Sequence, residues 1–246
     1  MNETKSLSGE IVEVGNLASE QIEDMYHLMS SYYEKVDETN FRKDLSEKRD
    51  VILLRDSVQG QIKGFSTLML LEQTVDDVPI TALFSGDTII DKEYWGENEL
   101  PKWWGRYSFS LIDEMPDKEI YWFLMSKGYK TYRFLPVFFN EFYPRRDVEF
   151  PTREKKILDA FAYSKFPNHY NPISGIISFN GEKDCLKKGV ADIDESRMKN
   201  PDIRYFVERN PHWQEGDELA CLVRLTKDNF NRMGHRAIGN YQRTDK

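Results

Sequence analysis

An aspartate inside an otherwise apolar strand is the first residue whose type and position could do chemistry. Asp87 stands in the break Ser85-Gly86-Asp87, within a run that begins at Thr81 and ends at Ile90. A carboxylate that reaches a wet cleft can serve as a general base. It can also be a structural acid that hydrogen-bonds an irregular strand, because a glycine in a strand marks a bulge or a close approach. Both interpretations stay open at the level of sequence.

The segment after this strand has the features of an anion-binding turn. It contains Gly96 and continues into Leu100-Pro101, where proline suits the first turn of a helix. The N–H groups at such a helix start point at whatever lies beyond the strand, a common way to hold a phosphate. The pattern therefore predicts a strand over 81–90, a turn, and a helix from about Pro101 to Met115.

The same turn resembles a segment of a known family. Residues 90–100, IDKEYWGENEL, are similar to the V-x-P-x-Y-R-G-x-G-x-G/A loop of the GNAT superfamily, the Gcn5-related N-acyltransferases. The positions that keep the pattern are Ile90, Tyr94 and Gly96. The positions that depart from it are Trp95, Asn98 and Leu100, which replace an Arg or Gln, a Gly, and a Gly or Ala.

The resemblance implies that this turn cradles the pyrophosphate of acetyl-CoA or of a longer acyl-CoA. Free backbone N–H groups of the strand end would polarise the thioester carbonyl. Asn98 tolerates a left-handed backbone, whereas we expect the Leu100 side chain to crowd the phosphate. The residues implied to bind the cofactor are Thr88, Ile89, Ile90, Trp95, Gly96, Glu97, Asn98 and Leu100.

The resemblance also implies catalytic roles for three residues. Asp87 would take a proton from an amine acceptor, directly or through water. Tyr132 and Tyr143 lie on the aromatic segment 129–143, where the family often has the acid that protonates the leaving thiolate. The alternative for both tyrosines is a place in the core, since aromatic residues at helical spacing usually pack.

Composition excludes several other classes of function. The 246 residues carry a net charge of −8, so a nucleic-acid partner, which needs clustered Lys and Arg, is not expected. Two distant cysteines, Cys185 and Cys221, form no disulfide framework or zinc motif, and the four histidines lack metal-ligand spacing. We therefore expect no metal.

The chain shows no signal for a membrane or for export. Its first residues, MNETK, are polar and lead into no apolar stretch of the kind that starts a secreted protein. No apolar run approaches the roughly 20 residues of a membrane span. We expect a cytoplasmic protein without a membrane span, whose oligomeric state the sequence leaves open.

The order of predicted elements over residues 10–144 is β-α-α-β-β-β-α-β-α, which is also the order of the GNAT core. This predicts a mixed α+β fold, a mostly antiparallel sheet flanked by helices. Strands 81–90 and 120–125 would be adjacent and parallel, because one helix joins them in a crossover. Residues 145–246 would close the sheet with strands at 175–179 and 218–225 and add helices at 152–161 and 202–209, within a single GNAT-like domain of residues 1–246.

The function that these features predict is acyl transfer from an acyl-CoA or acyl-carrier-protein thioester to the amine of a small molecule. Aromatic residues make up 13% of the chain, which suggests an apolar acceptor or an acyl chain longer than acetyl; the alternative is that these residues only fill the core. The alternative is a GNAT-like scaffold without transfer chemistry, acting as a ligand-binding or protein-interaction module. Glu97 and Glu99, which oppose an anion, favour that alternative.

Overall fold

The computed structural model describes residues 5–241, and its helices begin and end at local signals in the sequence. Asp37 caps one helix by accepting a hydrogen bond from the Asn40 N–H at 2.8 Å. Asn200 caps another in the same way, with Pro201 in the first turn. The helices are α1 (Ser19–Tyr32), α2 (Glu38–Ser46), α3 (Glu99–Glu114), α4 (Tyr129–Tyr132), α5 (Phe134–Phe138), α6 (Thr152–Lys165), α7 (Pro201–Arg209) and α8 (Arg232–Ile238).

The strands within residues 5–241 form one large and one small sheet. The two longest strands, at residues 62–75 and 78–90, contain many β-branched residues, as expected of a buried sheet centre. The strands are β1 (Leu7–Glu13), β2 (Tyr33–Glu34), β3 (Asp50–Asp56), β4 (Ile62–Val75), β5 (Val78–Ile90), β6 (Glu119–Ser126), β7 (Tyr170–Asn171), β8 (Ile176–Ile177), β9 (Cys185–Leu186) and β10 (Glu218–Arg224).

The large sheet has the order β1-β3-β4-β5-β6-β10-β8-β7, and the small one pairs β2 with β9. Within the large sheet only β5 and β6 run parallel; the other neighbours are antiparallel. The predicted parallel pair joined by α3 is therefore confirmed, as is the mixed, mostly antiparallel fold class. β10 lies beside β6, so the C-terminal part of the chain extends the same sheet.

Helices cover both faces of the large sheet. On one face α1 and α2 pack on the apolar side chains of β3 and β4, such as Leu53 and Phe65, while α6 packs through Phe161 on Phe123. On the opposite face α3 and α8 lie over β5 and β6, with Trp104 against Trp122. The alternation of side chains along each strand produces these two faces.

The aromatic segment 129–143 is helical over only part of the predicted length. α4 and α5 end at Phe138, and the residues after it are extended. Phe139 forms an isolated bridge with Phe230, and Tyr143 forms one with Leu222. The helical prediction is wrong for 139–143, because backbone pairing with the C-terminal segments replaces helical hydrogen bonds there.

Two features of the C-terminal part differ from the sequence prediction. The strand predicted at 175–179 is reduced to β8, because Gly175 has φ +75° and the chain turns again at Asn180 and Gly181. α8 was not predicted, and it packs on α3, where a Cβ at Gly105 would lie 2.3 Å from Ile238 Cγ1. Across residues 5–241 the helices are all too short or too polar to traverse a bilayer.

Candidate active site

The candidate site is a gap that opens between β5 and β6. Their parallel ladder ends at the pair Ser85–Leu124. Beyond that pair β5 continues to Ile90 on β4 alone, while β6 continues to Ser126 on β10. Alternate N–H groups along this last part of β5 point away from β4 and toward the gap. We call this opening the strand gap.

A β-bulge in β5 causes the two strands to part. Ser85 pairs with Leu68 and Thr88 with Ser66, so Gly86 and Asp87 together stand opposite the single residue Thr67. Such a bulge bends its strand and increases the local twist. The bulge predicted from the glycine in this strand is confirmed.

Glycine is required at position 86 by the crowding around it. A Cβ there would lie 2.6 Å from Thr67 Oγ1 and 2.8 Å from Lys48 Cε. The Lys48 side chain is 0% exposed, and its Nζ contacts Asp44 Oδ2 at 2.5 Å. The Lys48 side chain thus packs against the bulge. Its buried, positively charged Nζ lies 3.6 Å from the point where a Cβ on Gly86 would be.

On the α3 and α8 face, the strand gap opens into an apolar cavity of about 50 Å³. Its polar wall consists of hydroxyl groups, of which Ser85 Oγ accepts a hydrogen bond from Trp122 Nε1 at 2.8 Å, and Ser66 and Thr88 share one at 2.8 Å. The apolar lining side chains are Leu100, Pro101, Trp104, Trp122, Leu124, Phe134, Phe138, Phe139, Phe230, Ala237 and Ile238.

On the opposite face, the strand gap opens into a charged pocket of about 70 Å³. Four residues at the strand gap line both the apolar cavity and the charged pocket: Ser85, Thr88, Leu124 and Thr131. The charged residues that line this pocket are Asp44, Asp87, Lys127, Lys165, Lys183 and Glu218. A molecule in the apolar cavity and one in the charged pocket would therefore meet at the gap.

Asp87 is half-buried in the charged pocket, and its carboxylate accepts no hydrogen bond from any residue between 5 and 241. Burial raises the pKa of Asp87 to about 6, and the negative charges of Asp44 and Asp184 add to the rise. Lys183 and Lys48 oppose it to a smaller extent. A carboxylate with this pKa is mostly ionised near pH 7 and remains basic enough to accept a proton.

A buried ion-pair cluster forms the far side of the charged pocket. Lys127 Nζ lies 2.5 Å from Asp184 Oδ2 and 3.5 Å from Glu218 Oε1. Burial lowers the pKa of Lys127, but the carboxylates of Glu218 and Asp184 outweigh it and hold the pKa above its ordinary range. The cluster ties the end of β6 to the residue before β9, because Lys127 Nζ also donates to the Asp184 carbonyl at 3.0 Å.

The predicted phosphate loop has the conformation of a turn that leads into α3. Gly96 has φ +102°, a left-handed backbone that glycine adopts without strain. Within residues 5–241, the N–H groups of Gly96 and Asn98 make no hydrogen bond. Trp95 leans back along the strand, with Nε1 donating to the Ile90 carbonyl at 2.9 Å.

Two residues that were expected to oppose a phosphate, Leu100 and Glu99, obstruct the loop less than the sequence suggested. Leu100 is 3% exposed and packs in the core beside Trp104, so its side chain does not crowd the loop as expected. The Glu99 carboxylate accepts hydrogen bonds from Lys102 Nζ at 2.8 Å and from Trp103 Nε1 at 3.1 Å. Its negative charge is thereby partly compensated along α3.

A lysine that sequence reasoning missed stands beside this loop. Lys130 Nζ lies 3.2 Å from the centroid of the Trp95 ring and donates to the Val190 carbonyl at 2.6 Å. Burial, and then the positive charge of Arg197, lower the pKa of Lys130 to about 8. The Trp95 ring in the loop is therefore in contact with a lysine of α4.

The structure separates the two candidate tyrosines from the strand gap. Tyr132 is buried in the core, and its hydroxyl donates to the Pro144 carbonyl at 3.0 Å. Tyr143 stacks on Phe150 at 5.2 Å and lines neither the apolar cavity nor the charged pocket. Ile89 is likewise buried, against α1 and α2, so only its backbone can serve the gap. The proposed roles of these residues remain predictions.

Several residues of the site were not found from the sequence. Lys127 follows a buried strand in the break Ser126-Lys127-Gly128, a signal that could have identified it. Lys48 and Asp184 had no such signal, because their importance depends on which distant residues they meet. Among residues 5–241, no three His, Cys, Asp or Glu side chains come together in a way that could hold a metal.

No protein-family model matches the sequence, and no curated protein matches it. Among solved structures, the chain is similar to a probable N-acyltransferase from Enterococcus faecalis, with 15% identity over 55% of this chain and a TM-score of 0.41. This chain spans only 33% of that protein.

Two further structures show a similar likeness. One is a GNAT-family N-acetyltransferase from Escherichia coli in complex with CoA, with 11% identity, a TM-score of 0.39, and coverage of 55% of this chain and 70% of that one. The other is glucosamine-6-phosphate N-acetyltransferase from Arabidopsis thaliana, with 13% identity, a TM-score of 0.37, and coverage of 59% and 97%. At such identities and TM-scores the likeness carries no argument about reaction or substrate.

Proposed function

We propose that this protein transfers an acyl group from a thioester to an amine across the strand gap. The observation that carries the proposal is the shared wall: an apolar cavity and a charged pocket lie on opposite faces of one sheet and share Ser85, Thr88, Leu124 and Thr131. Two reactants that enter from opposite faces would meet there, and positioning of this kind lowers the barrier for a bimolecular reaction.

Asp87 is the base of the proposed reaction. The amine would approach through the charged pocket and lose a proton to the Asp87 carboxylate, directly or through water. It would then attack the thioester carbonyl in the strand gap, where N–H groups of β5 that are not paired with β6 would stabilise the developing oxyanion. Tyr132 and Tyr143 stay candidates for the acid that protonates the leaving thiolate, although the Tyr132 hydroxyl is held by Pro144 in this conformation.

The donor would be an acyl-CoA or an acyl-carrier-protein thioester, which share the pantetheine arm. Free N–H groups at Gly96 and Asn98 and the Lys130 cation provide groups that bind the pyrophosphate or phosphate at the end of that arm. Aromatic side chains dominate the apolar cavity, which favours an apolar acyl group. The family loop and the cavity thus lie on the donor side.

The acceptor would be a small amine that enters from the side of α1 and α2. A further cavity of about 320 Å³ shares Asp44, Asp87 and Lys183 with the charged pocket and reaches Val36 and Asp37 at the start of α2. This space leads directly to the proposed base. Its mixture of both charge signs favours a polar acceptor.

The proposal is tested by measuring thiol release from acyl-CoA donors with a panel of small amines. We expect the kcat/KM of the wild type to rise with pH through about 6, because only ionised Asp87 accepts a proton. Asp87→Asn should reduce kcat by about 100-fold or more and remove this limb of the pH profile. Asp77→Asn, the same change at the other end of the β4–β5 hairpin, is the matched control and should leave both unchanged. A normal rate and pH profile in folded Asp87→Asn would rule out Asp87 as the base.

The donor site is tested separately at the loop. Gly96→Gln should raise the Kd of CoA by about tenfold, because φ +102° is unfavourable for Gln and the N–H groups of the turn would shift. Gly60→Gln is the control for backbone strain, since Gly60 has φ +71°, equally open surroundings and a place in the β3–β4 turn. Equal CoA affinity in wild type and Gly96→Gln would place the donor elsewhere.

A binding module without transfer chemistry is the second candidate. The observation that favours it is the half-buried Glu97 in the loop, whose charge opposes a phosphate. A binding module of this kind predicts that CoA raises the melting temperature of the protein, while no amine in the panel causes thiol release from an acyl-CoA. Ligand at ~100 times its Kd would add ~2.7 kcal/mol of stability, which a melting curve detects readily.

A further inference from the structure

One tryptophan in the donor-side wall has a buried N–H group without a partner. Trp104 is 9% exposed, and its Nε1 makes no hydrogen bond within residues 5–241. Three other tryptophans each donate: Trp95 to the Ile90 carbonyl at 2.9 Å, Trp103 to Glu99 at 3.1 Å and Trp122 to Ser85 at 2.8 Å. A buried donor is normally paired, so the exception at Trp104 requires an explanation.

The Trp104 ring is held in place and has little freedom to find another protein acceptor. It lies 4.2 Å from the Trp122 ring, meets Phe139 edge-on at 6.2 Å and lies 6.5 Å from Phe230. The nearby Ser108 hydroxyl already donates to the Trp104 carbonyl at 3.0 Å. Packing therefore fixes the indole in the wall of the apolar cavity, whichever molecule occupies that cavity.

The chemistry of the missing partner is narrow. An indole N–H is a donor only, so the partner must present an acceptor such as a carbonyl oxygen. The surrounding wall is mostly aromatic and aliphatic, so most of the ligand around that oxygen must be apolar. A simple alkyl chain would fill the cavity but leave the donor unpaired, which is costly in a buried site.

We infer that Trp104 Nε1 donates a hydrogen bond to a carbonyl oxygen of the thioester donor and thereby positions that donor on its way to the strand gap. The inference rests on the proposed function, since it takes the ligand of the apolar cavity to be a thioester. Two parts of such a donor present a carbonyl oxygen within a mostly apolar chain: an amide of the pantetheine arm, and an oxo group on the acyl chain. Trp104 is thus a positioning residue for the donor.

The first test observes the indole N–H directly, in the protein labelled with ¹⁵N. The Trp104 resonance is assigned by its loss in Trp104→Phe, and CoA, butanoyl-CoA and acetoacetyl-CoA are then added to the wild type. A hydrogen bond should move the Trp104 proton resonance downfield. Movement with CoA alone identifies the pantetheine amide, and movement with acetoacetyl-CoA only identifies an acyl oxygen; either result supports the inference.

The second test measures affinity. Trp104→Phe keeps an aromatic ring but removes the donor, and it should raise the Kd of the ligand that moved the resonance by about fivefold to tenfold, the effect of one hydrogen bond. Trp103→Phe is the matched control, because its N–H is paired with Glu99 and it does not line the apolar cavity. The control should bind like the wild type.

The outcomes separate this inference from the proposed function. If all three ligands raise the melting temperature and the wild type transfers acyl groups, yet none moves the Trp104 resonance, the inference is wrong and the function stands. If the resonance moves but no amine accepts an acyl group, the inference stands and the transfer proposal fails. If no ligand binds at all, both are wrong.

Discussion

The two faces of the strand gap differ in almost every physical property, although the same four residues separate them. On the donor side, aromatic rings fill the space between α3, α5 and α8, and most polar groups are hydroxyls paired with one another or with an indole. On the acceptor side, acids and lysines are brought together with incomplete pairing around Asp87. One strand bulge thus borders an apolar cavity and a charged pocket, which we propose hold the acyl group and the amine.

The difference matters because each reactant needs the opposite environment. An acyl group gains from leaving water, whereas an amine must lose a proton to a charged base before it can attack. A sheet keeps the two environments apart, since neighbouring side chains of a strand point to opposite faces. Where β5 and β6 part, the two spaces share the residues of the strand gap.

The strongest test of the charged face is the removal of its central cation. Lys127→Met leaves the buried Asp184 without its lysine partner, while Glu218 keeps Lys183 at 3.7 Å, so we expect a loss of about 3–5 kcal/mol in the free energy of unfolding. Lys118→Met, at the other end of β6, breaks only an exposed pair with Glu72 and should cost less than about 1 kcal/mol. Denaturant unfolding of both variants measures the difference. Equal losses would mean that the charged face has no special electrostatic role.

The second largest effect is expected from Asp87→Asn, which should change how the free energy of unfolding depends on pH. Burial raises the pKa of this acid from its ordinary 3.8 to about 6 in the folded protein, so the folded state binds the proton more tightly than the unfolded state. The ionised carboxylate therefore destabilises the folded protein. This destabilisation is absent below about pH 4, where Asp87 is protonated in both states, and complete above pH 6, where it is ionised in both. Asp87→Asn should therefore be more stable than the wild type at pH 8, by on the order of 1–2 kcal/mol, and no more stable at pH 4. A loss of stability at pH 8 would show that the carboxylate has an architectural role.

The smallest effect is expected on the donor face. Ser85→Ala removes the acceptor of Trp122 Nε1 and leaves a second buried indole N–H unpaired beside the apolar cavity. We expect a loss of about 1–2 kcal/mol in the free energy of unfolding. Ser110→Ala, which removes an exposed hydrogen bond to Glu114 on α3, is the control and should cost less than about 0.5 kcal/mol. No difference between the two would mean that the Ser85–Trp122 hydrogen bond adds nothing to stability beyond an exposed one.

The strands that form the gap could be predicted from the sequence, but only part of their surroundings could. The glycine break in β5, the turn at Gly96 and the parallel partner β6 were all predicted, because each depends on local pattern and on the crossover rule. α8 was not predicted, and residues 139–143 are extended where a helix was predicted. Both are stabilised by contacts with segments about 80 or more residues away, which local periodicity does not record.

Two adjacent residues also show that local sequence does not record tertiary contacts. Trp103 and Trp104 are indistinguishable by type and neighbourhood in the sequence. On α3 they point about 100° apart. Trp103 lies against Gly9 and donates to Glu99, while Trp104 enters the core with its N–H unpaired. The face of a helix that turns toward a cavity is decided by the elements packed around it.

By itself the sequence determined the period of each major element, the position of the bulge and the presence of an acid within an apolar strand. These are consequences of residue type and spacing, which act over a few residues. Only the tertiary structure decided that Asp87 stands near Asp44 and Asp184, that Lys127 pairs across 57 positions, and that Trp104 faces the apolar cavity. Charge interactions and desolvation depend on distances through space, and those distances exist only once the sheet and its helices have packed.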